Sequence, residues 1–131
     1  MGSDAPWIEF DETPNKPYDG NYVSMNRDGL ITINRRMHEA MQRPAAVILL
    51  FDPVNSRIGL KPASPLTPNA FPVKAKGRHG VHRISARSFA RKWNLTLDCT
   101  VRFPSTEFDN DTLIINLKSR EKVTAPTRKR S

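Results

Sequence analysis

Apolar and polar residues follow the same order twice along the chain, once in residues 29–60 and again in residues 80–117. Each stretch begins with a glycine and a short alternating strand. Next come a residue suited to cap a helix and about two helical turns. Two apolar strands around a polar turn complete the stretch. Gly29, Ile33 and Asn34 match Gly80, Ile84 and Ser85 at a constant spacing of 51 residues. The sequence therefore predicts two βαββ repeats in one chain.

The elements of the first repeat follow from its turn and cap residues. Asp28-Gly29 favours a tight turn between strands at 22–25 and 30–33, because glycine readily adopts the positive φ that such a turn needs. Asn34 is a good N-cap for a helix over 35–42. The uninterrupted apolar run at 47–51 indicates a strand buried on both faces or lying in a barrel wall.

The second repeat is predicted in the same way, with Ser85 as the helix cap. Its helix over 86–93 would bury Phe89, Ala90 and Trp93, which lie on one stripe. A strand over 99–103 and a strand over 113–117 would be separated by a long acidic loop. These elements complete the predicted organisation of the chain, which is an acidic N-terminal arm (1–20), a first repeat (21–62), a proline-rich connector (63–72), a second repeat (73–117) and a basic C-terminal tail (118–131).

Charge is distributed unevenly along the chain. Residues 1–20 hold five acids and one lysine, a net charge of −4, whereas residues 21–131 hold twenty basic and eight acidic residues, a net charge of +12. So strong a positive excess favours a polyanionic partner, and nucleic acid is the preferred interpretation. The arm, with Trp7, Ile8 and Phe10 as possible anchors, is most simply a frayed terminus; docking on the basic face or on another protein is the alternative.

The densest positive charge lies in residues 74–92, which hold seven lysines and arginines and no acid. Arg87 and Arg91 are four residues apart on one helix face, where like charges disfavour a free helix unless an anion lies between them. Arginine can bind phosphates or guanine edges, and lysine gives point contacts to phosphate. We therefore predict a nucleic-acid interface. It comprises Arg27, Arg35, Arg36, Lys74, Lys76, Arg78, Arg83, Arg87 and Arg91.

The string Asn26-Arg27-Asp28-Gly29-Leu30-Ile31-Thr32-Ile33-Asn34, followed by a helix and an apolar hairpin, resembles the AbrB/SpoVT transition-state regulator fold. Two copies in one chain resemble the MraZ branch of that fold. The resemblance implies a mainly β protein with short helices, in which the repeats form a swapped-hairpin barrel about a pseudo-two-fold axis. It also implies a DNA-binding transcription regulator, with Arg35 and Arg36 on the strand-to-helix face that reaches DNA. At the cap, Asn34 and Ser85 stand where that family usually has proline.

Other functions are weaker predictions. The chain has no phosphate-binding loop, nucleophile elbow or zinc-protease motif, so we expect neither an enzyme nor a cofactor. His79 and His82 could bind a metal only with help from distant Cys99 or His38. An antitoxin-like or assembly module that binds a protein partner, and an RNA-binding barrel, remain alternatives. The DNA-binding hypothesis also includes self-assembly into homo-oligomers. A single cysteine and the lack of an apolar leader or span predict a cytoplasmic protein with no membrane contact.

Overall fold

A computed structural model describes residues 21–95 and 97–122, which form two antiparallel sheets and two short helices. The chain is mainly β with short helices, as predicted. In chain order the elements are β1 (Val23–Met25), β2 (Leu30–Ile33), α1 (Arg35–Ala40), β3 (Ala46–Asp52), β4 (Arg57–Ala63), β5 (Phe71–Pro72), β6 (Lys74–Lys76), β7 (Val81–Ser85), α2 (Arg87–Lys92), β8 (Val101–Arg102), β9 (Thr106–Asp109), β10 (Thr112–Asn116), a 3₁₀ turn (Leu117–Ser119) and β11 (Glu121–Lys122). The predicted acidic arm and the Arg128-Lys129-Arg130 end of the tail lie outside the described residues.

Strands of the two predicted repeats are neighbours in each sheet. The first sheet has the order β11-β8-β1-β2-β7-β6, and the second has the order β5-β3-β4-β10-β9. In the first sheet β2 pairs with β7, and Thr32 lies opposite Arg83, 51 residues further along the chain. In the second sheet β4 pairs with β10. Matching strands therefore pair with each other, as a two-fold relation between the repeats would require.

The two sheets are open within residues 21–122. Their outer strands are β11 and β6 in one sheet and β5 and β9 in the other, and none of these four strands pairs across to the opposite sheet. The predicted closed barrel is therefore not formed by the described strands. A barrel would need backbone hydrogen bonds between those outer strands, since closure is what removes sheet edges.

The hydrophobic core lies between the inner faces of the two sheets. In β1 and β2 the inward residues are opposite one another, with Val23 facing Ile33 and Met25 facing Ile31. Residues directly opposite in an antiparallel pair share a face, so each pair adds its side chains to the core. The helices add Met37 from α1 and Phe89 from α2 to this core.

The cap of the first helix is confirmed, but the predicted cap of the second is wrong. The Asn34 Oδ1 atom accepts hydrogen bonds from the backbone N–H of Met37 at 2.9 Å and of Tyr22 at 3.2 Å. In the second repeat the N-cap position belongs to Ala86, which has no side-chain cap. Ser85 is instead the last residue of β7, where it pairs with Leu30. The residue predicted to cap the helix therefore belongs to the sheet.

The hairpin of the second repeat lies further along the chain than predicted. Only Val101–Arg102 of the predicted strand 99–103 is a strand, and it joins β1 in the first sheet. The predicted acidic loop contains β9, which pairs with β10. Asn110 has a φ of 59°, which allows the tight turn between them, since asparagine tolerates the left-handed region better than most residues.

The apolar run of β3 is not buried on both faces, contrary to prediction. Val47 is fully buried, whereas Leu50 is 45% exposed on the opposite face of the second sheet. A proline also lies within β4, at Pro62. Pro62 pairs with Val47, but β10 reaches only to Leu60, so no neighbour on that side needs the N–H that proline lacks.

Candidate nucleic-acid interface

Each β-turn at the start of a repeat contacts the helix of the other repeat. Gly29, with a φ of 84°, accepts a hydrogen bond from the Ala86 backbone N–H at 2.8 Å, and a Cβ there would lie 2.9 Å from the Arg87 Cα. Gly80, with a φ of 82°, lies equally close to α1, because a Cβ there would be 2.6 Å from the Arg35 Cβ. Both glycines are needed for this close approach. The contact of each turn with the helix of the other repeat brings basic residues of the two repeats together.

The first of the resulting basic groups consists of Arg27, Arg87 and Arg91, which we call the α2 group. All three are exposed, and they line one groove of about 470 Å³. The turn that carries Arg27 is fixed by Asn26, whose Oδ1 atom accepts hydrogen bonds from the backbone N–H groups of Asp28 and Leu30, both at 2.9 Å. An anion in this groove would meet three guanidinium groups and one carboxylate, that of Asp28.

The second group lies around α1, where a carboxylate already forms ion pairs with two arginines. Arg35 and Arg36 are exposed at the start of α1, next to the turn that carries Arg78. The Arg35 Nε atom donates a hydrogen bond to Glu39 Oε2 at 3.1 Å, and Arg43 lies 3.7 Å from the same carboxylate. Glu39 is the fifth residue of α1, whereas the fifth residue of α2 is Arg91. The two groups are therefore equivalent in position but not in charge.

The remaining predicted site residues lie on the first sheet. Arg83 is opposite Lys74 across the β6–β7 pair, and Lys76 follows two residues later on the same face. Both lysines are exposed, whereas Arg83 is half-buried. The Arg83 Nε atom is buried and has no hydrogen-bond partner among the described residues. These three residues form a sheet-face group that is separate from the α2 group.

Two histidines that the sequence did not connect lie against each other. The His38 and His82 rings are stacked with their centroids 3.6 Å apart, and they join α1 to β7. His38 Nε2 is 3.0 Å from the Pro44 carbonyl oxygen, and His82 Nδ1 is 2.8 Å from that of Gly80. Because a carbonyl oxygen only accepts, each of these ring nitrogens must carry the hydrogen. Burial, and secondarily the charges of His82 and Arg43, lower the pKa of His38, although the bond to Pro44 opposes this.

The lowered pKa of His38 predicts that the protein loses stability as the pH falls below about 6.5, the ordinary value. Below that pH the unfolded chain binds a proton at His38 more readily than the folded chain, so the loss continues until the pH passes the folded pKa. The free energy of unfolding in urea at pH 7.5 and pH 5.5 measures this difference. We expect this difference between the two pH values to be smaller in the His38→Gln protein.

His79→Gln is the matched control, because His79 is exposed in a turn. A His38→Gln protein with an unchanged pH profile would contradict the prediction. Asp52 does not interfere, because hydrogen bonds from Asn55 and then Arg57 lower its pKa to about 2, well below the measured range. Arg57 donates a hydrogen bond to Asp52 Oδ2 at 2.8 Å through its NH2 group.

Metal binding has no support in the described part of the chain. No cluster of three or more histidine, cysteine or carboxylate side chains occurs within residues 21–95 and 97–122. His79 is exposed, whereas His82 stacks on His38.

Comparisons with protein families, curated proteins and solved structures find no match for this chain. Among the described helices, none has the length and apolar character needed to cross a membrane.

Proposed function

We propose that this chain is a DNA-binding protein and a transcription regulator of the AbrB/MraZ type. In this proposal its two βαββ repeats interlock as a swapped-hairpin unit about a pseudo-two-fold axis. The central β2–β7 and β4–β10 pairs support that arrangement, because each joins matching strands of the two repeats. The crossing of each turn onto the opposite helix supports it as well.

The observation that carries the functional proposal is the α2 group. Arg27 is sixty residues from Arg87 in the sequence, yet both line one groove with Arg91. Arg87 and Arg91 repel each other in the free helix, and a phosphate between them would remove that penalty. Three exposed arginines around one groove suit the contacts to phosphate that dominate affinity for duplex DNA.

The equivalent basic group around α1 gives the proposed interface a second contact. If both groups face the same duplex, the two-fold relation between the repeats would match the symmetry of a DNA site with two half-sites. The α1 group would bind more weakly, because Glu39 already pairs with Arg35. The proposed contact is therefore asymmetric, with the α2 group contributing more affinity.

Replacing both helix arginines of the α2 group tests this proposal. We expect Arg87→Ala with Arg91→Ala to weaken binding to random duplex DNA by roughly 10- to 100-fold at low salt. The slope of log affinity against log salt should fall by about 2, since each lost phosphate contact removes about 0.9. Gel-shift titrations at three salt concentrations measure both quantities, with thermal unfolding as a check on the fold.

The control is Lys61→Ala with Lys122→Ala, which removes the same charge from two exposed residues outside the α2 group. Equal losses in the two double variants would contradict a specific contact and leave only the net charge. Failure of the parent protein to shift DNA at low salt would overturn the proposal. Stronger competition by RNA than by duplex DNA would favour the RNA-binding alternative.

A further inference from the structure

The groove of the α2 group continues into a second cavity. That cavity has a volume of about 450 Å³ and shares Asn94, Leu95 and Leu97 with the first. The two cavities therefore adjoin, and together we call them the long groove. It runs from the α2 group towards the 3₁₀ turn and Arg120.

The long groove has an apolar floor and a basic rim. Phe51, Leu95, Leu97 and Leu117 line it and pack only partly against the core. The rim is formed by exposed basic side chains. They are Arg27, Arg87, Arg91, Lys118 and Arg120. Duplex DNA would use the rim but would leave the leucine floor uncovered, because its outer surface is phosphate and sugar.

We propose that the long groove binds residues 7–12 of this chain, whose sequence is Trp-Ile-Glu-Phe-Asp-Glu. This hexapeptide lies outside the described residues and alternates large apolar side chains with acids. Bound in an extended form, it would place Ile8 and Phe10 on one face together with Glu12, and Glu9 and Asp11 on the other face together with Trp7. The apolar pair would cover the leucine floor, and the acids would meet the arginines and lysines of the rim.

Charge and chain length both favour this occupant over a separate molecule. Residues 1–20 carry a net charge of −4, opposite to the rim. Residues 13–20, which separate the hexapeptide from the first described residue, can span roughly 26 Å when extended, nearly twice the radius of gyration of about 14 Å typical of such a domain. A tether of this kind gives an effective concentration near the millimolar range, so that weak contacts suffice.

Docking of residues 7–12 would compete with phosphate for the arginines of the α2 group. The proposal gives the acidic segment a regulatory role, but its test uses no nucleic acid. A failure of the docking proposal and a failure of DNA binding can therefore be distinguished.

Tryptophan fluorescence tests the proposal in the full chain. The chain has two tryptophans, so Trp93→Phe leaves Trp7 as the reporter. Phenylalanine keeps an aromatic ring against Phe51, whose ring centroid is 5.0 Å from that of Trp93. We expect the acrylamide quenching constant of Trp7 to be at least about threefold lower than in a free peptide of residues 1–12, since an effective concentration near millimolar would keep most chains docked.

Charge reversal at the rim should release the segment. In the Trp93→Phe protein, Arg91→Glu with Arg120→Glu should raise the Trp7 quenching constant to that of the free peptide. Both side chains are exposed, so the fold should be retained, and far-ultraviolet circular dichroism checks this. Lys61→Glu with Lys122→Glu makes the same change in net charge at residues that do not line the groove and should leave Trp7 protected. Free-peptide quenching in the Trp93→Phe protein, or equal release by both double variants, would overturn the proposal.

Discussion

Gly29→Ala is expected to lower the free energy of unfolding by about 3 kcal/mol, because it combines backbone strain with a steric clash. The φ of 84° is unfavourable for any residue with a Cβ. The added atom would also lie 2.9 Å from the Arg87 Cα and 3.2 Å from its backbone nitrogen, neither of which can rotate away. Turn and helix would have to separate. Urea unfolding measures the loss of stability.

Gly77→Ala is the matched control for this prediction. Gly77 has a similar φ of 74°, but a Cβ there would meet no atom within 4 Å. Only the backbone strain remains, so we expect a loss of about 1 kcal/mol. The difference between the two variants measures the contact between the first turn and the second helix. Equal losses would show that this contact contributes nothing to stability.

Leu60→Ala is expected to lower the free energy of unfolding by about 3 kcal/mol. Leu60 is fully buried in β4, and it lies opposite Leu49 in β3 and Leu113 in β10. The shorter side chain would lose its transfer free energy and would leave a cavity where the hairpins of both repeats meet. The melting temperature should fall by roughly 10 °C, as expected for a chain of this length.

Leu50→Ala makes the same substitution on the other face of the same sheet. Leu50 is 45% exposed, so we expect a loss below about 1 kcal/mol. If the loss of unfolding free energy is at least three times larger for Leu60→Ala than for Leu50→Ala, the result agrees with a sheet that has one core face. Similar large losses would instead support the sequence-based prediction of a strand buried on both faces.

Local features of the fold could be predicted because their causes are local. The turn at Asp28-Gly29 and the cap at Asn34 depend on residues within five positions of each other, and both are present. The choice of strand partner depends on distant residues instead. Val101 pairs with Met25, and Ser85 pairs with Leu30, each across more than fifty residues. No pattern along the chain shows these pairings, and the errors in the second repeat arise from them.

The candidate site was predicted as a set of residue types rather than as an arrangement. The density of arginine around Arg87 and Arg91 was visible in the sequence, and the structure places these two residues in one groove. The contribution of Arg27 to that groove depends on the crossing of a turn onto the opposite helix. The leucine floor formed by Leu95 and Leu97 was not predicted, because two leucines near the end of a helix resemble ordinary core residues.

The pairing of matching strands has a consequence for the proline-rich connector between β4 and β5. The strands, and not the connector, determine how the two repeats fit together, since β2 pairs with β7 and β4 with β10 independently of it. The covalent link instead keeps the repeats at a high effective concentration, so that they meet without a diffusional encounter. Its contribution is to the rate and the one-to-one stoichiometry of assembly, and doubling the length of the loop would cost only about 0.6 kcal/mol of closure free energy.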